Sequence, residues 1–337
     1  MNRIAHGGTD PGTPSRFDFS TNANPLGPSP LVLGAVRGAE LTSYPDPSYT
    51  SLRRHLAAWH GRAPAEVVVG AGACELIHRA VRATGGPVVV TVPTFGEYRY
   101  AADLAGVDVR SAESRDQFLT HLPGAALAFL CVPNSPDGAV PDAAWLSRAA
   151  ETADSAGCRL LLDLAYYPLT QRPPALPAGA WQLWTPNKAH NLTGVRAAYL
   201  LAGADDAEQL GPAPSWILSA TGEALLRATT TAEASEWVQS TRVTLWQWRD
   251  ELADRLTEVG VTATAGAANF LLAHVRSAGA ATALLRQRGI RVRDATSLGL
   301  ADMLRLSAQP PQAQVALLDA LDNLQRGQRL ALTAATR

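Results

Sequence analysis

Between residues 66 and 163, short apolar runs alternate with segments whose apolar residues recur every three or four positions. Val67-Val68-Val69 and residues 87–92, 125–132 and 159–163 show little polar alternation, so each reads as a strand buried on both faces. Helical spacing fills the intervals up to residue 83, at 97–105 and at 142–156. This strand–helix rhythm predicts an α/β fold with a mostly parallel sheet sandwiched by helices. Ligands gather beyond the carboxyl ends of strands in such sheets, so chemistry is expected after Val69, Val92, Val132 and Asp163.

Outside this region the pattern changes. Residues 1–30 are rich in Gly, Pro, Ser, Thr and Asn without a period, which predicts an irregular arm. Helical spacing at 30–40 and 49–59 is interrupted by Tyr44-Pro45-Asp46-Pro47, a turn that no helix runs through. After Tyr199-Leu200-Leu201, residues 215–259 read as helical with a break at Thr229-Thr230-Thr231. Strands follow at 269–275, 290–292 and 303–307, with helices at 280–288 and 311–326 and a frayed end. The expected division is an arm with a first helix at 1–44, a large domain at 45–212, and interdomain helices with a smaller α+β domain at 213–337.

Composition narrows the partners. The 337 residues are 47% apolar, ample for a core, and the net charge of −1 has no run of like charges behind it. No nucleic-acid or membrane partner is implied, and small-molecule chemistry is expected. Three cysteines, an odd number, fit reduced thiols and form neither a disulfide framework nor a metal-ligand spacing. No leader-like start and no apolar run near the roughly 18 residues of a membrane span is seen, so the expected location is cytoplasmic.

Against this background Trp184-Thr185-Pro186-Asn187-Lys188 stands out, because Lys188 is the only lysine among 29 lysine and arginine residues. An arginine stays protonated, whereas a lysine can become the neutral amine that attacks a carbonyl and forms a Schiff base. Taken alone, Lys188 reads equally as a leftover surface charge. Its neighbours favour chemistry: the Thr185 hydroxyl lies three residues before it and Arg196 eight after it, as an aldehyde-capturing amine beside a phosphate would require. Gly70-Ala71-Gly72-Ala73-Cys74-Glu75 opens a helix, whose free N–H groups and dipole suit a phosphate. Phe95 in Pro93-Thr94-Phe95-Gly96-Glu97-Tyr98 offers a ring to stack on a pyridine, and Asp163 ends its strand where a carboxylate needs a cation.

These parts, in this chain order, resemble the fold type I pyridoxal-phosphate (PLP) enzymes, aminotransferase class I/II, and within them the histidinol-phosphate aminotransferases and threonine-phosphate decarboxylases. The resemblance runs nearly end to end. It implies Lys188 as the Schiff-base lysine, Asp163 on the pyridine nitrogen, Tyr166 on the ring oxygen and Phe95 against the ring. Gly72, the Ala73 and Cys74 amides, Thr185 and Arg196 would hold the cofactor phosphate. Ser43-Tyr44-Pro45 matches a turn whose tyrosine reaches the partner subunit's phosphate, which implies a homodimer. Arg305, in Leu304-Arg305-Leu306-Ser307, matches the clamp for the substrate carboxylate, with Arg291 and Arg293 as the next candidates.

Two positions depart from the pattern. Asn134-Ser135-Pro136-Asp137-Gly138 carries Ser135 where an asparagine usually bonds the ring oxygen, so either Ser135 or Asn134 is expected there. Asp163-Leu164-Ala165-Tyr166 lacks a usual acid. The arm's His6-Gly7-Gly8 and Asn24 resemble the decarboxylases and make His6 and Asn24 candidates for substrate, while Tyr166 is the aminotransferase choice. Transamination of an L-amino acid, with or without a phosphate, is the expectation, and the alternatives are decarboxylation of a phospho-amino acid or a specialised PLP reaction of secondary metabolism.

Overall fold

The computed structural model describes residues 6–12 and 14–335, with side chains up to Asn323. The arm starts with β1 (Phe17–Asp18) and leads into α1 (Pro30–Arg37) and α2 (Thr50–His60). The expected first helix at 30–40 therefore ends at Arg37, where Gly38 caps it. The Tyr44-Pro45-Asp46-Pro47 break holds, and Asp46 closes it by accepting from the N–H groups of Ser48 and Thr50.

The large sheet is built from β2 (Val67–Gly70), β3 (Val88–Thr91), β4 (Val109–Ala112), β5 (Leu127–Cys131), β6 (Arg159–Asp163), β7 (Trp181–Trp184) and β8 (Ala198–Leu201). Their order is β2-β8-β7-β6-β5-β3-β4, and β8 alone runs against its neighbours. Helices α3 (Ala73–Thr84), α4 (Glu97–Ala105), α5 (Arg115–His121) and α6 (Ala143–Ser155) occupy the connections, and α7 (Ala204–Leu210) follows β8.

Successive strand residues point to opposite faces, and both faces are buried. Val88, Val90, Leu127, Phe129 and Leu161 pack on one side with Leu76, Ile77 and Tyr98. Val89, Ala128, Leu130, Leu160 and Leu162 pack on the other with Phe118 and Leu146. That is the arrangement the unalternating apolar runs required.

Beyond the sheet come α8 (Ala220–Thr229) and the long α9 (Ala232–Glu258), broken at the expected threonines, where Thr231 caps α9 by accepting from the Ala234 N–H. The second sheet is antiparallel, with β9 (Ala263–Ala265) and β10 (Phe270–His274) followed by α10 (Ala278–Gln287), β11 (Ile290–Arg291), β12 (Arg293–Asp294) and β13 (Met303–Ser307). Its order is β12-β13-β10-β9, while β11 pairs in parallel with β1 and so ties the arm to this smaller unit. Helix α11 (Pro311–Ala335) continues past the expected stop at 326, and the last two residues of the expected frayed end lie outside the described residues. No helix among the described residues is long and apolar enough to cross a membrane.

Candidate active site

Five loops meet at the carboxyl ends of β2, β3, β5, β6 and β7. They enclose a cavity of about 80 Å³ walled by Ala73 and Cys74, Phe95, Cys131 and Ser135, Asp163, Ala165 and Tyr166, and Thr185, Asn187, Lys188 and Arg196. A larger cavity of about 810 Å³ shares Cys74, Phe95, Ser135, Tyr166, Lys188 and Arg196 with it. To these it adds His6 and Arg16 from the arm and Arg293 and Arg305 from the second sheet.

Lys188 is half-buried, with Nζ 5.2 Å from the centre of the Tyr166 ring. Its loop is pinned from beneath: the Asn24 N–H donates to the Lys188 carbonyl at 2.9 Å, and the Asn24 amide bonds Ala189 O at 3.1 Å and Thr241 Oγ1 at 2.9 Å. Asn24 is fully buried and lines neither cavity. The structure thus places it under the lysine loop and not in the space a substrate would enter.

Asp163 is 2% exposed at the end of β6. Its Oδ2 accepts from the Tyr98 hydroxyl at 2.9 Å and its Oδ1 from the Ala165 N–H at 3.0 Å. Burial pushes this carboxyl above its ordinary range, and those two donors and the Lys188 charge oppose the shift. A buried carboxylate facing a cavity is stabilised by a cation placed there.

Gly72 precedes α3, whose first residues Ala73 and Cys74 line the inner cavity, and has φ 105°, a conformation that side-chain-bearing residues rarely adopt. A Cβ on Gly72 would lie 2.7 Å from Arg196 Nη2, so the glycine lets the guanidinium approach the helix start. The first-turn N–H groups of α3 have no intrahelical partner and point toward an anion site. Burial pushes the Cys74 thiol up to about 11, leaving it neutral, so Cys74 adds a backbone donor there and no charge. Thr185 Oγ1 and Asn187 Oδ1 are buried without a hydrogen-bond partner among the described residues.

These residues fit PLP. Its phosphate matches the α3 start, Arg196 and the unsatisfied Thr185 hydroxyl; its ring nitrogen matches Asp163; its ring matches Phe95; and its aldehyde matches Lys188.

The remaining candidates are placed differently. Asn134 lines neither cavity, because its side chain is committed to a turn through Thr94 Oγ1 at 2.8 Å, Pro93 O at 2.9 Å and Asp137 Oδ1 at 2.8 Å. Ser135 reaches the cavity, yet its hydroxyl accepts from Arg305 Nη1 at 2.7 Å. Tyr44 is 80% exposed and packs on Trp216, with ring centres 4.6 Å apart, away from both cavities. His6 lines the larger cavity with Nε2 2.7 Å from Glu97 Oε1, and His78 bonds the other Glu97 oxygen at 3.2 Å. The His6 contact is the largest of the effects that hold Glu97 below the usual carboxylate range.

Sequence reasoning missed Asn187, adjacent to Lys188; Cys131, in the inner wall; Tyr98; and Asn22, whose Nδ2 lies 3.5 Å from the Tyr166 hydroxyl. Tyr98 ends the stretch that carries Phe95 and Asn22 lies in the irregular arm, and only tertiary contacts distinguish them from neighbours.

The pattern of the family "Aminotransferase class I and II" matches residues 15–321. A histidinol-phosphate aminotransferase of Roseiflexus castenholzii is 30% identical over 340 residues, covering 90% of this chain and 88% of that protein. The crystal structure of histidinol-phosphate aminotransferase from Sinorhizobium meliloti in complex with pyridoxal-5'-phosphate superposes with a TM-score of 0.82 at 24% identity, covering 94% of this chain and 92% of that one. L-threonine-O-3-phosphate decarboxylase from Porphyromonas gingivalis has the same fold, with a TM-score of 0.80 at 19% identity over 91% of this chain and 99% of that one. By this family match over residues 15–321 and these relatives, the chain belongs to the aminotransferase class I and II family and is a PLP-dependent aminotransferase.

Proposed function

We propose that this enzyme moves the amino group of a phosphorylated amino compound to a 2-oxo acid; its relatives are named histidinol-phosphate aminotransferases. The observation that carries the substrate class is the buried Arg305 guanidinium in the larger cavity, whose bonds go to neutral acceptors. Arg293 and Arg305 lie directly opposite each other on β12 and β13, 7% exposed each. Burial lowers both, and with the Arg305 charge added and the Asp294 charge opposing, Arg293 is lowered to about 10. The Arg305 terminal nitrogens donate to Ser135 Oγ and Ser20 O and its Nε has no partner among the described residues, so this buried cation is costly unless an anion joins it. A substrate bearing a carboxylate or phosphate meets that need, and a planar fork suits either group.

Bound PLP supplies an aldehyde that an amine captures and a ring that stabilises negative charge on an attached carbon. The chain supplies the rest. Lys188 Nζ anchors the cofactor, and as a free amine it takes the proton from the substrate carbon that bears nitrogen and returns a proton during turnover. Asp163 holds the ring nitrogen, Tyr166 bonds the ring oxygen and Phe95 covers one face. Ala73, Cys74, Thr185 and Arg196 bind the phosphate. Arg305 orients the substrate with Nη2 braced on Ser20 O at 3.0 Å and Nη1 on Ser135 Oγ at 2.7 Å, and the Ser135 hydroxyl, which lines the inner cavity, keeps its own proton to donate to the ring oxygen. Tyr44 and Trp216 form part of a homodimer face, with Tyr44 reaching the partner's cofactor phosphate.

Decarboxylation of a phospho-amino acid is the second reading, favoured by the arm that places His6, Gly7 and Gly8 in the cavity wall. The two reactions differ in which bond at the reacting carbon breaks. Holoenzyme incubated with histidinol phosphate, amino acids and phospho-amino acids, with 2-oxoglutarate, separates them by mass spectrometry. Transamination yields an oxo product with glutamate; an amine product with carbon dioxide favours the second reading; neither product from any phosphorylated compound overturns both.

A further inference from the structure

We propose that Tyr98 is a positioning residue for the reaction, holding Asp163 charged and oriented toward the cofactor's ring nitrogen; this rests on the reading of Asp163 given above. Tyr98 lies in α4, is 0% exposed, and its hydroxyl lies 2.9 Å from Asp163 Oδ2. Its ring cannot drift. Phe129 stacks on one face with centres 4.6 Å apart and planes 6° from parallel, and Phe95 meets it edge-on at 5.6 Å and 82°.

An ionised carboxylate accepts at about four lone-pair positions. Tyr98 and the Ala165 N–H fill one on each oxygen from the protein side. Asp163 lines the inner cavity, so the capacity left over faces the place the ring nitrogen would occupy. A donor to the charged form favours that form, and here it counters the burial that raises the Asp163 carboxyl.

Tyr98 is suited to remain the donor. Burial, and then the Asp163 charge, push its phenol well above the ordinary range, so its proton stays in place. The adjacent Cys131 thiol donates to Pro133 O at 3.1 Å and is likewise pushed up by burial, so no second anion competes for the hydroxyl. Through its edge contact the same side chain braces Phe95, the ring that covers the cofactor.

The test is the ¹⁵N chemical shift of the ring nitrogen in holoenzyme loaded with ¹⁵N-labelled PLP. Wild-type protein is expected in the protonated range. Tyr98→Phe keeps the ring and its stack, and its nitrogen signal is expected to move downfield toward unprotonated pyridine, with PLP affinity lower by roughly tenfold. In an Asp163→Asn background, Tyr98→Phe should add nothing to the shift. A variant that melts lower with an unmoved nitrogen signal makes Tyr98 merely structural and overturns the proposal. So does an equal shift in the Asp163→Asn background. Should Tyr98→Phe fail to fold, Phe129→Leu, which loosens the stacked ring, should move the signal in the same direction, and an unmoved signal again overturns it. An unprotonated nitrogen in the wild-type protein defeats the reading of Asp163 itself, a failure visible before any variant is made.

Discussion

Arg305 shows how much one side chain's surroundings decide. It sits in an apolar strand, 7% exposed, with Nε buried and without a partner among the described residues. Its two terminal nitrogens meet only neutral acceptors, a serine hydroxyl and a carbonyl. A structural arginine at this depth would be expected to pair with a carboxylate, so the unmet charge argues for a ligand. Arg305→Lys keeps a charge and loses the fork. Apparent substrate affinity should fall at least about tenfold, roughly 1.4 kcal/mol, while the melting temperature and PLP uptake stay nearly unchanged. A lower melting temperature with unaltered substrate affinity in steady-state kinetics would make Arg305 structural.

Among the elements, the turn from β2 into α3 does the most in the least space. Gly72→Ala forces a side chain into φ 105° and against Arg196. Such strain costs about 1–3 kcal/mol, so the variant should melt a few degrees lower. Under the proposed role of Arg196 at the cofactor phosphate, PLP affinity by fluorescence titration should fall with it. Unchanged affinity would remove this turn from the cofactor site. The strands carrying the turn were legible because both faces of their sheet are buried, which writes unbroken apolar runs into the sequence. Elements without that signature were not. Edge strand β4 is half-exposed and carries Arg110 and Ser111, helix α5 has only seven residues, and β7 hides a buried Gln182 between apolar neighbours. At the site, residue types that announce chemistry were legible as cavity residues, since Lys188 and Asp163 both line the inner cavity. Asn24 and Asn134 were not: an asparagine serves a turn as readily as a ligand, and which it serves depends on contacts distant in sequence, such as Asn24 with Thr241.

For the molecule as a whole, the arm, the seven-stranded sheet and the smaller antiparallel sheet all contribute walls to one larger cavity, and an exposed Tyr44–Trp216 pair lies away from it. If that pair is part of a homodimer face, light scattering should give twice the chain mass, and Tyr44→Phe should weaken PLP binding by about 1.5–3 kcal/mol. A monomer that turns over at full rate would rule out the shared site. Everything else depends on one amine. Protein loaded with PLP, reduced with borohydride, digested and weighed should carry the pyridoxyl mass on the peptide containing Lys188, and Lys188→Ala should carry none there. A label confined to the N-terminal amine, or no label on protein that is otherwise folded, would contradict the account.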